Sequence, residues 1–241
     1  MPSNNHIKKV GTRIRGFLRG AVCEEEYQQA VSTMKAYRAQ FSRPTASMNN
    51  ALRRYAQQAD VSVRVTQRLK KTPTIIDKLA QREQSLNLLN MHDIGGCRAV
   101  VKDISAMDRL VKIVSHRNSE RLIKHRNYVK TPRVSGYRAH HSIVEAAPGL
   151  PVEVPIRTLS MHTWAETVEG FSNELGLNLK QDGEGPMFEF LKVVAEIYWH
   201  EETDTPVVPE LSTLYNDLLV EVRGFIAEQE PLTYEQQTLP F

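Results

Sequence analysis

At 241 residues, with 41% hydrophobic and 24% charged side chains, the chain has an ordinary globular composition and enough length to bury a core. Two cysteines, Cys23 and Cys97, exclude a disulfide scaffold and fit a reducing cytoplasm. No apolar run reaches membrane-spanning length and no signal-peptide core opens the chain, so a cytoplasmic protein without a membrane partner is expected. The net charge of +3 conceals a polarity: residues 1–141 carry 27 basic against 10 acidic side chains, and the remainder carries 4 against 18. A cationic lobe of that kind suits polyphosphate or nucleic acid, unless the acidic part folds back onto it.

Taken in chain order, residues 6–60 read as helix in pieces, including Glu24–Phe41, with a break at Arg43-Pro44. Thr72-Pro73 reads as a hydroxyl cap and first-turn proline, with Ile75, Ile76 and Leu79 as the buried stripe. Gly95–Val101 reads as a strand, and Ser105 with Asp108 as a capping box for a helix to His116. Strands follow at Arg121–Val129, His140–Ala147 and Val152–Thr158. After them come a helix at Leu159–Leu175, the polar loop QDGEGP, a helix at Met187–His200 and a proline-punctuated linker at Thr203–Pro209. A last helix over Glu210–Gln229 carries Leu211, Leu214, Leu218 and Val222 at helical spacing, to pack on the body or on another subunit. The expected fold is α+β, a mixed β-sheet flanked by helices, with helical N- and C-terminal segments. Its expected divisions are 1–54, 55–175 and 176–241.

Four clusters carry chemistry. Arg68, Lys70, Lys71 and Lys78 surround the start of the Thr72 helix, where cations and free N–H groups suit phosphates. In DIGGCR, Asp93 and Arg98 bracket two glycines that allow close backbone approach to a ligand, or that merely serve a turn. Period-two alternation puts Glu153, Pro155 and Arg157 on one strand face and Val152, Val154 and Ile156 on the other. With Tyr137, Arg138 and His141 just upstream, that face suits a purine nucleotide and a metal, or is a surface ion pair beside a turn tyrosine. Asp93 and Glu153 together offer two hard oxygen ligands for Mg²⁺.

In order, RLKKTPTIIDKL, DIGGCR, YVKTPRVSGYRAHH and VEVPIRTLSMHTWAE resemble the synthetase domain of the RelA/SpoT family. The resemblance implies a nucleotidyltransferase-like sheet that moves pyrophosphate from ATP to a ribose 3′-hydroxyl. By that resemblance Arg68, Lys70, Lys78 and Arg98 hold ATP, and Asp93 and Glu153 bind Mg²⁺ with Glu153 as general base. Tyr137 stacks on the acceptor base, and Arg138, His141 and Arg157 complete the acceptor site. Such chemistry needs charge neutralisation and alignment more than covalent help.

Departures are Thr74 for the family serine, Pro155 for the glutamine of its strand motif, and Ala139-His140 for Ser-Leu. Pro155 removes an amide side chain and a backbone donor from the site face. His92-Asp93 lies inside the synthetase motif, so it is not read as the family's hydrolase metal site. With neither hydrolase nor regulatory segments in view, the chain resembles the family's small members. Their acceptors divide between GDP or GTP, giving the alarmones ppGpp and pppGpp, and the 3′-CCA end of tRNA, in a toxin paired with an antitoxin protein.

The guanosine nucleotide is placed first. Lys8, Lys9, Arg13, Arg15 and Arg19 would suit tRNA phosphates or an acidic partner. A homo-oligomer and a catalytically inactive binding protein stay open. Three spatial expectations follow. Asp93 and Glu153 should adjoin, the four ATP-site cations should share one cleft, and Tyr137 should be exposed over a pocket.

Overall fold

The computed structural model describes residues 3–82, 85–176, 179 and 183–228. Part of the QDGEGP loop (Gln181 and Asp182) and Gln229 of the expected last helix lie outside the described residues. The chain forms two compact units, one of Met1–Lys130 with Ala139–Leu159 and one of Thr131–Arg138 with Ser160–Phe241. This division falls elsewhere than at 54/55 and 175/176, because the N-terminal helices share a core with the sheet.

The first unit is built on a five-stranded mixed sheet. Its strands are β1 (Val63–Leu69), β2 (Gly95–Val101), β3 (Leu122–Asn127), β4 (His140–Ala147) and β5 (Leu150–Thr158), in the order β1-β2-β5-β4-β3. Only β2 and β5 pair in parallel; the other three pairs are antiparallel. The strand β1 was not among the expected elements, although Val61, Val63 and Val65 alternate with Ser62, Arg64 and Thr66.

Helices α1 (Asn4–Leu18), α2 (Glu24–Gln40) and α3 (Ser42–Gln58) precede the sheet. The break lies at Phe41 and not at Arg43-Pro44: Pro44 occupies the first turn of α3, where a missing N–H leaves no bond unmade. Between β1 and β2 come α4 (Thr72–Asp77) and a π-helical turn, Lys78–Arg82. Lys71 is the N-cap of α4, so Thr72 is its first residue rather than a hydroxyl cap. In α5 (Ile104–Arg117) the cap is Asp103, whose carboxylate accepts from Ala106 N at 2.8 Å; Ser105 instead accepts from Arg109. The expected capping box was two residues late.

Helix α3 packs on β1, β2, β4 and β5, and α5 packs on α3 and β5. The covered sheet face carries Val65, Cys97, Ala99, Val152, Val154, Ile156, His140 and Val144, all buried. Gly95 belongs to this face too: a Cβ there would stand 2.5 Å from Thr45 Oγ1 and 3.3 Å from Phe41. This glycine therefore admits the helix to the sheet, not a ligand. A second cluster joins Ile7, Val10, Ile14, Met34 and Phe41 of the N-terminal helices to Ile75, Leu79, Leu88, Met91 and Ile94.

The second unit holds α6 (Leu159–Glu174) from Ser160 onward, α7 (Pro186–Glu202) and α8 (Pro209–Glu228). Trp164 on α6 donates its indole N–H to Leu191 O at 2.7 Å, and α8 packs on α7 with Phe190 against Tyr215. Of the expected α8 stripe, Leu218 and Val222 are buried and Leu214 is exposed.

Candidate active site

The main chain brings β1 and the segment before β2 together, since Lys70 N donates to Ile94 O at 2.8 Å. Lys70 Nζ and Lys78 Nζ then converge on one oxygen, Asp93 Oδ2, at 3.0 and 3.1 Å. Residues 15 and 23 positions from Asp93 in sequence thus make a single charged knot. Burial of Asp93 opposes its ionisation, but the charges and hydrogen bonds of the two lysines outweigh it and hold the carboxyl below its usual range.

Register places Glu153 on β5 beside Gly96 on β2, and Gly96 opposite Arg68 on β1. A Cβ on Gly96 would meet nothing nearer than Glu153 O at 3.8 Å, so this second glycine does leave open space over the face. Arg98 lies opposite Thr66, two residues along from the Gly96–Arg68 pair on the same face. The four expected ATP-site cations therefore divide into two pairs: Arg68 and Arg98 on the sheet face, Lys70 and Lys78 at Asp93.

His141 on β4 reaches Glu153, with Nδ1 and Oε1 2.7 Å apart. Burial of Glu153 opposes its charge; the hydrogen bond and charge of His141, aided by Lys78, outweigh it and keep its pKa below the ordinary value. Asp93 acts on Glu153 in the opposite sense, so the two carboxylates lie within electrostatic reach of each other. Pro155 sits opposite His141 on the central strand, and the β2–β5 ladder passes from Gly96↔Glu153 to Ala99↔Ile156 across that position. A nitrogen without hydrogen can make no rung there. Arg157 lies on the same face farther along β5 and is buried.

The remaining two expected acceptor residues belong to the second unit. Tyr137 is only 3% exposed, against the expectation of an open ring; it packs at 6.3 Å from Trp164, with the Arg133 guanidinium 5.7 Å from its centroid. Arg138 is buried, forms an ion pair with Glu196 at 2.8 Å and stacks on Trp199 at 4.3 Å. Its guanidinium is thus held by α7 rather than extended toward an acceptor's phosphates. Neither partner was legible beforehand, since Glu196 and Trp199 lie about sixty residues downstream. Gly136, at φ +85°, fixes this turn: a Cβ would come 2.6 Å from that of Ala195.

Residues 67–175 match the family described as the region found in RelA / SpoT proteins. The chain carries a RelA/SpoT domain. The chain is 28% identical over 141 residues to GTP pyrophosphokinase YwaC of Bacillus subtilis, covering 54% of this chain and 65% of that protein. It is 29% identical over 130 residues to GTP pyrophosphokinase YjbM of the same organism, covering 51% and 59%. Both matches span less than two thirds of the relative. Small alarmone synthetase 2 of B. subtilis has a similar fold, with TM-score 0.59 at 23% identity over 70% of this chain and 94% of that one. Small alarmone synthetase 1 of B. subtilis, solved bound to its product pppGpp, gives TM-score 0.62 at 19% identity over 81% and 99%.

The RelA/SpoT domain offers a divalent cation two carboxylates, Asp93 and Glu153. Asp93 Oδ1 is buried with no hydrogen-bond partner among the described residues, which leaves it a lone acceptor. No group of three or more His, Cys, Asp or Glu side chains that could hold a metal ion occurs among them. Two hard oxygens fit Mg²⁺, which keeps waters and takes substrate phosphates as its other ligands. Among the described residues no helix is long and apolar enough to cross a membrane.

Sequence reasoning missed two other residues at this site. Arg15 on α1 donates to Leu79 O at 2.6 Å, and Arg38 on α2 donates to Lys70 O at 2.6 Å. The sequence groups Arg15 with the cations of α1 that suit a polyanion, and no local pattern marks Arg38, the one arginine of α2.

Proposed function

We propose that the protein transfers pyrophosphate from ATP to the 3′-hydroxyl of a guanosine nucleotide, GDP or GTP. The convergence of Lys70 and Lys78 on Asp93, with Glu153 within its electrostatic reach, is the observation that carries this reading. Those cations, with Arg68 and Arg98 on the adjoining strands, neutralise a triphosphate and fix it in line for attack at the β-phosphorus. The similarity to two GTP pyrophosphokinases supports the choice of acceptor.

Asp93 and Glu153 would hold Mg²⁺, which when bound supplies further neutralisation of phosphate charge. Glu153, ionised at neutral pH and anchored by His141, accepts the proton of the 3′-hydroxyl. Its depressed pKa makes orientation and charge a larger part of its contribution than basicity.

The acceptor is tested by incubating the protein with β-labelled ATP and GDP, GTP or bulk tRNA in parallel. Label should enter GDP and GTP. Label in tRNA alone would overturn the nucleotide reading and favour the toxin branch; no transfer, with ATP still bound, would favour an inactive binding protein. Lys8 and Lys9 are exposed on α1 and available to a polyanion, whereas Arg15 is engaged with Leu79. Charge reversal at Lys8 and Lys9 is therefore a cleaner probe of tRNA contact than one that includes Arg15.

A further inference from the structure

The two lysines at Asp93 are each backed by an arginine from outside the RelA/SpoT domain. Arg38 Nε donates to the carbonyl of Lys70 at 2.6 Å, and its Nη2 lies 3.5 Å from Leu69 O. The N–H of the same Lys70 is taken by Ile94 O, one residue from Asp93. Both main-chain polar groups of Lys70 are thus fixed, one by the segment before β2 that bears Asp93 and one by α2. Arg15 Nη1 donates to the carbonyl of Leu79, the residue after Lys78, at 2.6 Å and also approaches Leu86 O at 3.5 Å.

The Leu79 carbonyl lies in the π-helical turn Lys78–Arg82. Short π segments are irregular, costly pieces of helix that recur at functional sites. Gly11 makes the reach of Arg15 feasible. A Cβ at Gly11 would meet Arg15 Nη1 at 3.2 Å and Leu86 O at 3.3 Å. Both arginines are half-buried, so their hydrogen bonds are shielded from water. Helices α1 and α2 are themselves locked together, with Phe17 stacked on Tyr27 at 4.3 Å.

We propose that Arg15 and Arg38 are positioning residues that hold Lys78 and Lys70 on Asp93, making the α1–α2 hairpin a working part of the phosphate-binding site. The proposal deepens the reading of that site as the ATP cradle and rests on it. Arg38 sets the Lys70 side by clamping the Lys70 carbonyl. Arg15 sets the Lys78 side by holding the π turn. Neither touches substrate, so the effect of losing either should be selective for the nucleotide that the lysines hold.

The test uses the full chain and the variants Arg38→Ala, Arg15→Ala, Arg38→Lys and Lys70→Ala. Binding of the non-hydrolysable analogue AMPCPP is measured by calorimetry, together with KM for GDP and hydrogen exchange in peptides spanning 68–80 and 140–158. Arg38→Ala and Arg15→Ala should each weaken AMPCPP about tenfold, the scale of one lost charged hydrogen bond, with KM for GDP within about twofold. Exchange should quicken over 68–80 and not over 140–158, and Arg38→Lys should restore part of the loss.

If Lys70→Ala loses AMPCPP while both arginine variants bind it as the parent does, the positioning role is overturned and the ATP reading stands. If the parent binds no AMPCPP, the ATP reading falls, and exchange over 68–80 in the free protein still decides the positioning: unchanged rates overturn it. Equal losses toward AMPCPP and GDP would also overturn it, by reducing the arginines to general scaffold.

Discussion

The two faces of the sheet are made by neighbouring residues with opposite duties. On β4, His140 is buried on the helix-covered face, and His141 turns the other way to bind Glu153. On β2, Gly95 is small because Thr45 and Phe41 press on it, while Gly96 borders open space. Cys97 donates its thiol to Thr45 O at 3.1 Å on the covered face, and Arg98 follows on the charged one. A strand reverses its side chains at every residue, so one short motif can serve core and chemistry together. The residue type alone does not reveal which duty a position has.

The largest effect should come from the charged face. Glu153→Gln should lower transferase activity at least about a hundredfold, read as initial rate, while the urea midpoint stays near that of the parent. A rate within tenfold of the parent would remove Glu153 from the chemistry.

The next belongs to the covered face and to pH. Burial, with the charges of His125, His141 and Lys130 and against that of Asp108, pushes the His140 pKa down to about 4 from an ordinary 6.5. The folded value is the lower one, so the unfolded chain binds this proton more readily. Stability is therefore full above pH 6.5 and falls as pH drops toward 4, by up to about 3 kcal/mol. Urea unfolding at steps from pH 7.5 to 4.5 should show that slope, and His140→Gln should flatten it. Asp93 and Glu153, whose folded pKa values are also lowered, add to the loss from the ordinary carboxylate range downward and so overlap only the acid end of this series.

The glycine pair sharpens the contrast further. Gly95→Ala should cost roughly 1–3 kcal/mol through overpacking against Thr45, measured by thermal or urea unfolding. Gly96→Ala should leave stability nearly unchanged and instead weaken nucleotide binding. The smallest effect concerns the thiols. The exposed Cys23 should be alkylated by iodoacetamide under native conditions. Burial lifts the Cys97 pKa to about 12 and should keep it inert until the protein unfolds.

Much of this was legible in the sequence for a physical reason: strand period and motif order report on local geometry. The alternation of Val152, Val154 and Ile156 against Glu153 predicted the face, and the resemblance of the ordered motifs to the RelA/SpoT synthetase region implied that cations and carboxylates belong together. Long-range closure was not legible. The resemblance implies binding roles for Tyr137 and Arg138, and their contacts with Trp164, Glu196 and Trp199 join residues too distant in sequence for any local pattern to show. The sequence groups Arg15 with the cations of α1 that suit a polyanion and gives Arg38 no role, because their carbonyl partners are 64 and 32 residues away. The alternating valines of strand β1 share their segment with Arg64 and Arg68, which mask the period.

The cluster joining Ile7, Val10, Ile14, Met34 and Phe41 to Ile75, Leu79, Met91 and Ile94 bears on how such a protein can be cut and recombined. The recognisable stretch begins at residue 67, yet half of the apolar wall behind it is supplied by the preceding helices. A fragment beginning there would retain every motif residue and expose Ile75, Leu79 and Ile94 to water, a condition that favours aggregation over folding. The unit that can be exchanged between proteins is consequently longer than the unit that can be recognised. Grafting this site onto another scaffold would require moving the helical hairpin with it.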